Sequence, residues 1–220
     1  MPPVDSLQLK NEAHHFVLEN GLEVVLDPVM GHGEVVSHLY YRVGEADLAL
    51  NESGMAHLTE HLMFEGSGNV TNGNYDRLLN SVGGQSAAYT THDAIVFTAR
   101  FPPEAIDLLL FLESDRMGWL CAGLTETDVE NQKMVVNQES LKDMGSRYVQ
   151  LGQLLRSMVF QDSPLSRDPG GELFQLENHD LKGICQFAQN WIHPQNAILT
   201  LSGNFEATKT EKAVRHWFSD

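Results

Sequence analysis

His57-Leu58-Thr59-Glu60-His61 is the part of the chain whose residue types and spacing could do chemistry. On a helix, residues four apart lie one turn above each other, so His57 and His61 would project from one face. Glu60, three residues after His57, would sit beside them. Two imidazole nitrogens and a carboxylate form a common ligand set for catalytic zinc, which keeps a further position for water. A free Glu next to that water can take its proton. The plainer reading is a pair of surface histidines on a solvated helix. Ala56, Leu58 and Leu62 argue against it, because they make the helix half-buried, and a buried His pair without a partner is costly. The third ligand should be a carboxylate from another helix. Glu139 follows the apolar pair Val135-Val136, and Glu130, about 2.5 turns upstream, competes with it. Spacing alone leaves open that either is an ordinary solvated carboxylate.

The elements that must position these residues are legible in outline. His15–Leu18 and Leu22–Leu26 flank Asn20-Gly21 and predict a hairpin. Val35–Val43 reads as a third strand. Ser53 is the expected N-cap of the His57 helix, which should end near Gly66-Ser67-Gly68. Tyr75–Val82 should be helical, and 87–101 reads as one long strand. Helices are expected over 104–117, over 126–141 with Thr125 as N-cap, and over 147–159, with a loop over 161–171. Val129, Met134, Val135 and Val136 are the expected buried residues of the second of these helices. A helix over 181–191, a strand over 197–202 and a helix over 208–218 complete the chain. This order predicts one α+β domain over 1–220, a two-layer sandwich whose mostly antiparallel sheet carries helices on one face.

Composition narrows the function classes. The 220 residues hold 30 Asp and Glu against 14 Lys and Arg, a formal charge of −16. Nucleic-acid affinity depends on displacing counterions with Lys and Arg, so nucleic acid is excluded as a partner, as is an anionic membrane surface. The longest unbroken apolar run, Leu108 to Leu112, is far short of the ~20 residues a membrane span needs. The first residues carry no basic or apolar signal region, which favours a cytoplasmic location, or the periplasm or another compartment if a leader has been removed. Cys121 and Cys185 are too few for a disulfide scaffold and are expected as buried small hydrophobes. Trp119, Trp191 and Trp217 are expected in the core, and Arg116 in a structural ion pair.

Together the motifs resemble the inverted-motif zinc peptidases, the family of pitrilysin, insulin-degrading enzyme and the mitochondrial processing peptidase. The resemblance rests on Gly54 to Ser67 around the His pair and on Gly83-Gly84 followed by Ala88 to Asp93. It extends to Asp115-Arg116-Met117, Asn131 to Glu139, and the region from Phe187 to Phe205. It implies that His57, His61 and Glu139 bind one zinc ion, favouring Glu139 over Glu130, and that Glu60 is the general base. It implies that the strand from Ala87, with Ala88, Tyr89 and Thr90, pairs with an extended peptide or an unfolded protein segment. Ala87 stands where many members have Asn, and Gln132 where many have an acidic residue; Glu130 and Gln132 are therefore candidates to support the ligands. Members usually carry a homologous second half, which this chain lacks and which a partner subunit or self-association would supply. Two functions follow: a zinc endopeptidase or its catalytic half, and a weak or silent peptide-binding partner of a two-part peptidase.

Overall fold

The computed structural model describes residues 13–31 and 33–219; the N-terminal segment read for a signal, and His32, lie outside them. Among the described residues, six strands form one sheet in the order β1-β2-β6-β3-β5-β4. They are β1 (His14–Val17), β2 (Glu23–Pro28), β3 (Val35–Tyr41), β4 (Gln85–Thr90), β5 (Ile95–Phe101) and β6 (Ala197–Gly203). Only β2 and β6 pair in parallel; the other neighbours are antiparallel. Among the described residues, eight α-helices accompany the sheet: α1 (Met55–Leu62), α2 (Asn74–Ser81), α3 (Ile106–Gly123), α4 (Glu126–Met144), α5 (Arg147–Phe160), α6 (Leu173–Leu176), α7 (Leu181–Trp191) and α8 (Ala207–Phe218).

Alternation places the helices on one face. Val35, Ser37, Leu39 and Tyr41 of β3 are buried, and the residues that alternate with them are exposed or half-buried. β6 repeats the pattern with Ala197, Leu199 and Leu201. Against that face lie Leu58 and Leu62 of α1, Leu109, Leu110 and Leu112 of α3, and Val129 and Val136 of α4. The two-layer α+β expectation is therefore met.

Several details differ from the expectation. The long strand over 87–101 is two strands, β4 and β5, joined at Thr91-His92-Asp93-Ala94, where the Thr91 hydroxyl and backbone close the turn. A run of alternating residues cannot show by itself where a polar Thr-His-Asp corner folds it back. Ser53 does not cap α1. Gly54, at φ 83°, occupies the cap position, and the Ser53 hydroxyl donates instead to buried Glu45 at 2.5 Å. Thr125 does cap α4, exchanging bonds with Asp128. Met134 and Val135 are exposed, because only Val129, Lys133 and Val136 face inward. Trp119 is 61% exposed where α3 kinks. Trp191 and Trp217 pack against the core as expected.

Cys121 and Cys185 are joined in a disulfide between α3 and α7, which corrects their reading as free small hydrophobes. The two positions are 64 residues apart, so only the tertiary fold could bring them together. Closing a loop of that length constrains the unfolded chain, and replacing both cysteines by alanine should cost about 2–4 kcal/mol. Denaturant midpoints of the oxidised protein and the double variant would measure it.

Candidate metal centre

α1 presents His57 and His61 on one side, and α4 crosses it to bring Glu139 alongside. The two Nε2 atoms lie 3.2 Å apart, and Glu139 Oε2 is 3.3 Å from His61 Nε2. One ligand atom from each of the three residues falls within 4.8 Å of the others. Three acceptor atoms facing one another repel unless a cation or protons lie between them. Tetrahedral ligands at about 2.0–2.1 Å from zinc would stand roughly 3.3 Å apart, so the donor set fits that ion. Glu130 is not brought in: it lies roughly 13 Å up the helix and pairs with Lys133 at 2.8 Å.

The surroundings favour a neutral His57 imidazole. Burial and the neighbouring His61 push the His57 pKa down, keeping a lone pair available. The 161–171 loop closes over this residue. A Cβ on Gly171, at φ 85°, would lie 2.2 Å from the Gly54 backbone, so only glycine lets the loop seat against the start of α1. Arg167 holds the loop there through the carbonyls of Glu45 and Leu48, at 2.9 and 2.7 Å. The adjacent Gly170 backbone thereby abuts the His57 ring. Nothing in the spacing of this segment marked it as part of the site.

Glu60 is 7% exposed, and burial raises its pKa. Its carboxylate accepts a hydrogen bond from the Thr90 hydroxyl. Thr90 and Ala88 lie on the helix-facing side of β4, which is the last strand of the sheet. Tyr89 and Ala87 project from the opposite side. Ala88, Tyr89 and Thr90 line a cavity of about 510 Å³ together with His57, Glu60, His61 and Glu139; Ala87 does not. Gln132 Oε1 lies 3.1 Å from His61 Nδ1, where an amide oxygen can only accept, and the Gln132 amide donates to Glu65, which the sequence left without a role. His92 bonds the Arg167 carbonyl at 3.1 Å and stays out of the centre.

The insulinase peptidase family (family M16) matches residues 34–169 of this chain. The chain belongs to the insulinase family. A zinc protease from Helicobacter pylori is 28% identical over 205 residues, covering 92% of this chain and 46% of that protein. The stromal processing peptidase of Arabidopsis thaliana is 26% identical, covering 93% of this chain and 17% of its own length. The crystal structure of a Helicobacter pylori protease superposes with a TM-score of 0.90 at 26% identity, over 96% of this chain and 50% of that one. The first half of the periplasmic protease PqqL from Escherichia coli has the same fold, with a TM-score of 0.86 at 20% identity. This insulinase-family chain thus spans about half the length of the curated bacterial relatives it matches, and no helix among its described residues is long and apolar enough to cross a membrane.

Proposed function

We propose that this chain is the zinc-bearing half of a peptidase that hydrolyses peptide bonds in extended chains. The observation that carries the reading is the meeting of three converging metal-type ligands, His57, His61 and Glu139, with a buried carboxylate on an open sheet edge. Zinc held there would polarise a peptide carbonyl and acidify water. The chain's own residues do the rest. The free edge of β4 pairs with the substrate backbone and lays the scissile bond along the cavity. Glu60, oriented by Thr90, accepts the water's proton and passes it to the leaving amine.

Substrate grip requires a second surface opposite β4, which a homologous second half or a second copy supplies. The apolar side chains that α5 leaves exposed, among them Leu151, Leu154 and Met158, support such a partner. The disulfide favours an oxidising compartment such as the periplasm over the cytoplasm.

The test is zinc content together with cleavage of a quenched peptide library, with and without the second half. One zinc per chain and cleavage that needs it are expected. Zinc binding without cleavage in the assembled protein would leave the peptide-binding partner reading, and a metal-free protein would overturn the site. Chelation should also lower the melting temperature, since zinc at 100 times its dissociation constant stabilises by about 2.7 kcal/mol; a thermal melt before and after dialysis against a chelator measures the shift.

A further inference from the structure

Glu45 stands in the single turn Glu45–Asp47 after β3, is fully buried, and uses every polar group it has to join three segments. Its amide donates to the Thr91 carbonyl at 3.2 Å, where β4 ends. Its carboxylate accepts from the Ser53 hydroxyl at 2.5 Å and from the Gly54 amide at 2.9 Å, where α1 begins. Its carbonyl accepts from the Arg167 guanidinium at 2.9 Å, and its Oε1 pairs with the same group at 3.3 Å, in the loop that covers His57. Further bonds close the ring. His92 Nε2 donates to the Arg167 carbonyl at 3.1 Å, and the Ala46 amide donates to the His92 carbonyl at 2.8 Å. The Glu172 amide donates to the Ser53 hydroxyl at 2.9 Å. Gly44 leaves no slack, because a Cβ there would lie 2.4 to 2.5 Å from the backbone of Thr91, His92 and Asp93.

These three segments are the ones that must keep station for a peptide to meet the metal centre. β4 carries the free edge, α1 carries His57 and His61, and Asp168 to Gly171 wall the cavity beside His57. The bond from Thr90 to Glu60 ties β4 to α1 at one point. Glu45 ties them again at Gly54, six residues or roughly 9 Å back along the helix. One tie fixes a distance, and two ties fix an angle. The side chains of Glu45 and Arg167 are 0% and 10% exposed, so water does not replace their bonds and the second tie is stiff. Neither residue lines the cavity.

We propose that Glu45 and Arg167 are positioning residues that hold the free edge of β4 at a fixed distance and angle to the metal face of α1, and so hold the scissile bond of a bound peptide at the metal. The inference rests on the peptidase reading for its purpose, but the tie itself belongs to the metal-free chain. Arg167→Met keeps an unbranched side chain and removes the donors. In the assembled protein it should lower kcat about 10–100-fold, the effect of a displacement near 1 Å at the reacting centre, with KM and the zinc dissociation constant unchanged. Arg167→Lys restores the charge and a donor and should recover part of the loss. His92→Ala removes only the bond from the turn, should give a smaller loss in kcat, and keeps the test readable if Arg167→Met does not fold. The Cys121→Ala/Cys185→Ala double variant lowers stability away from the tie and should keep wild-type kcat. In metal-stripped protein, amide hydrogen exchange in Arg167→Met should quicken together at Glu45, Ala46, Gly54 and Glu172, while Ser67 and Asn69, beyond the other end of α1, keep their protection. Wild-type kcat in either Arg167→Met or His92→Ala, no recovery in Arg167→Lys, an equal loss in the cysteine variant, or exchange that quickens at Glu172 alone overturns the proposal. An assembled wild type that takes up no zinc or cuts no peptide sinks the peptidase reading instead, and the exchange pattern still decides the tie.

Discussion

Replacing Glu60 by glutamine should lower kcat/KM for peptide cleavage about 10²–10⁴-fold, with zinc content unchanged. That range is what a positioned proton acceptor contributes. Glutamine has nearly the same size and can still accept the Thr90 hydroxyl bond, so the helix, the cavity and the bond from β4 are preserved. What disappears is the ability to take a proton. Glu60 does not belong to the candidate ligand group of His57, His61 and Glu139, so zinc should stay. The loss should fall mainly in kcat, because the substitution leaves the β4 edge proposed to pair with substrate untouched. Metal analysis and steady-state kinetics on the assembled protein read both halves of the expectation. A variant that keeps wild-type kcat removes Glu60 as the base, and one that loses zinc makes Glu60 a ligand or a structural support.

The largest effect on stability should come from Glu113→Ala. Arg116 is 1% exposed beneath the site, and Glu113 grips its guanidinium with bonds of 2.5 to 2.8 Å. The cation lies over the rings of Phe97, Tyr75 and Phe64, at 3.9, 4.5 and 5.2 Å. Tyr75 donates to the same carboxylate at 2.7 Å. Removing Glu113 strands a charge among aromatic rings and leaves the Tyr75 hydroxyl unpaired. Breaking a buried pair in this way costs about 3–5 kcal/mol. For a chain of this size that lowers the melting temperature by roughly 6–20 °C. Replacing both members, as in Glu113→Leu/Arg116→Met, should cost less than the single change, because no buried charge is left alone. Thermal unfolding of the two variants separates a paired-charge cost from a packing cost; equal losses would make packing the cause. Arg116 also favours the ionised form of Glu60, so this pair connects the core to the chemistry.

Much of the site was legible because its spacing is local. His57, Glu60 and His61 fall within one turn of one helix, and helical geometry converts five letters into one face. Glu139 needed the match of a longer segment, since spacing alone did not separate it from Glu130. The structure separates them by distance: Glu139 reaches His61, and Glu130 pairs with Lys133. Residues that join the site from far along the chain were less visible. Thr90 was expected on the substrate strand, but its bond to Glu60 spans 30 positions. Gln132 was marked as supporting the ligands, and its partner Glu65 was not, although 67 positions separate them. Gly170 and Gly171 sat in a stretch that read only as a loop.

The sequence by itself determined the two-layer α+β class, the helix that carries His57 and His61, its candidate general base and the acidic charge balance. Each follows from a periodicity, a local spacing or a charge balance, which the order of residues states directly. Tertiary structure alone decided the break between β4 and β5, the disulfide between α3 and α7, the loop seated on His57 and the chain from Glu65 through Gln132 to His61. These are contacts between segments distant in sequence. Packing selects them, and no local pattern of residues encodes which distant partner a side chain will meet.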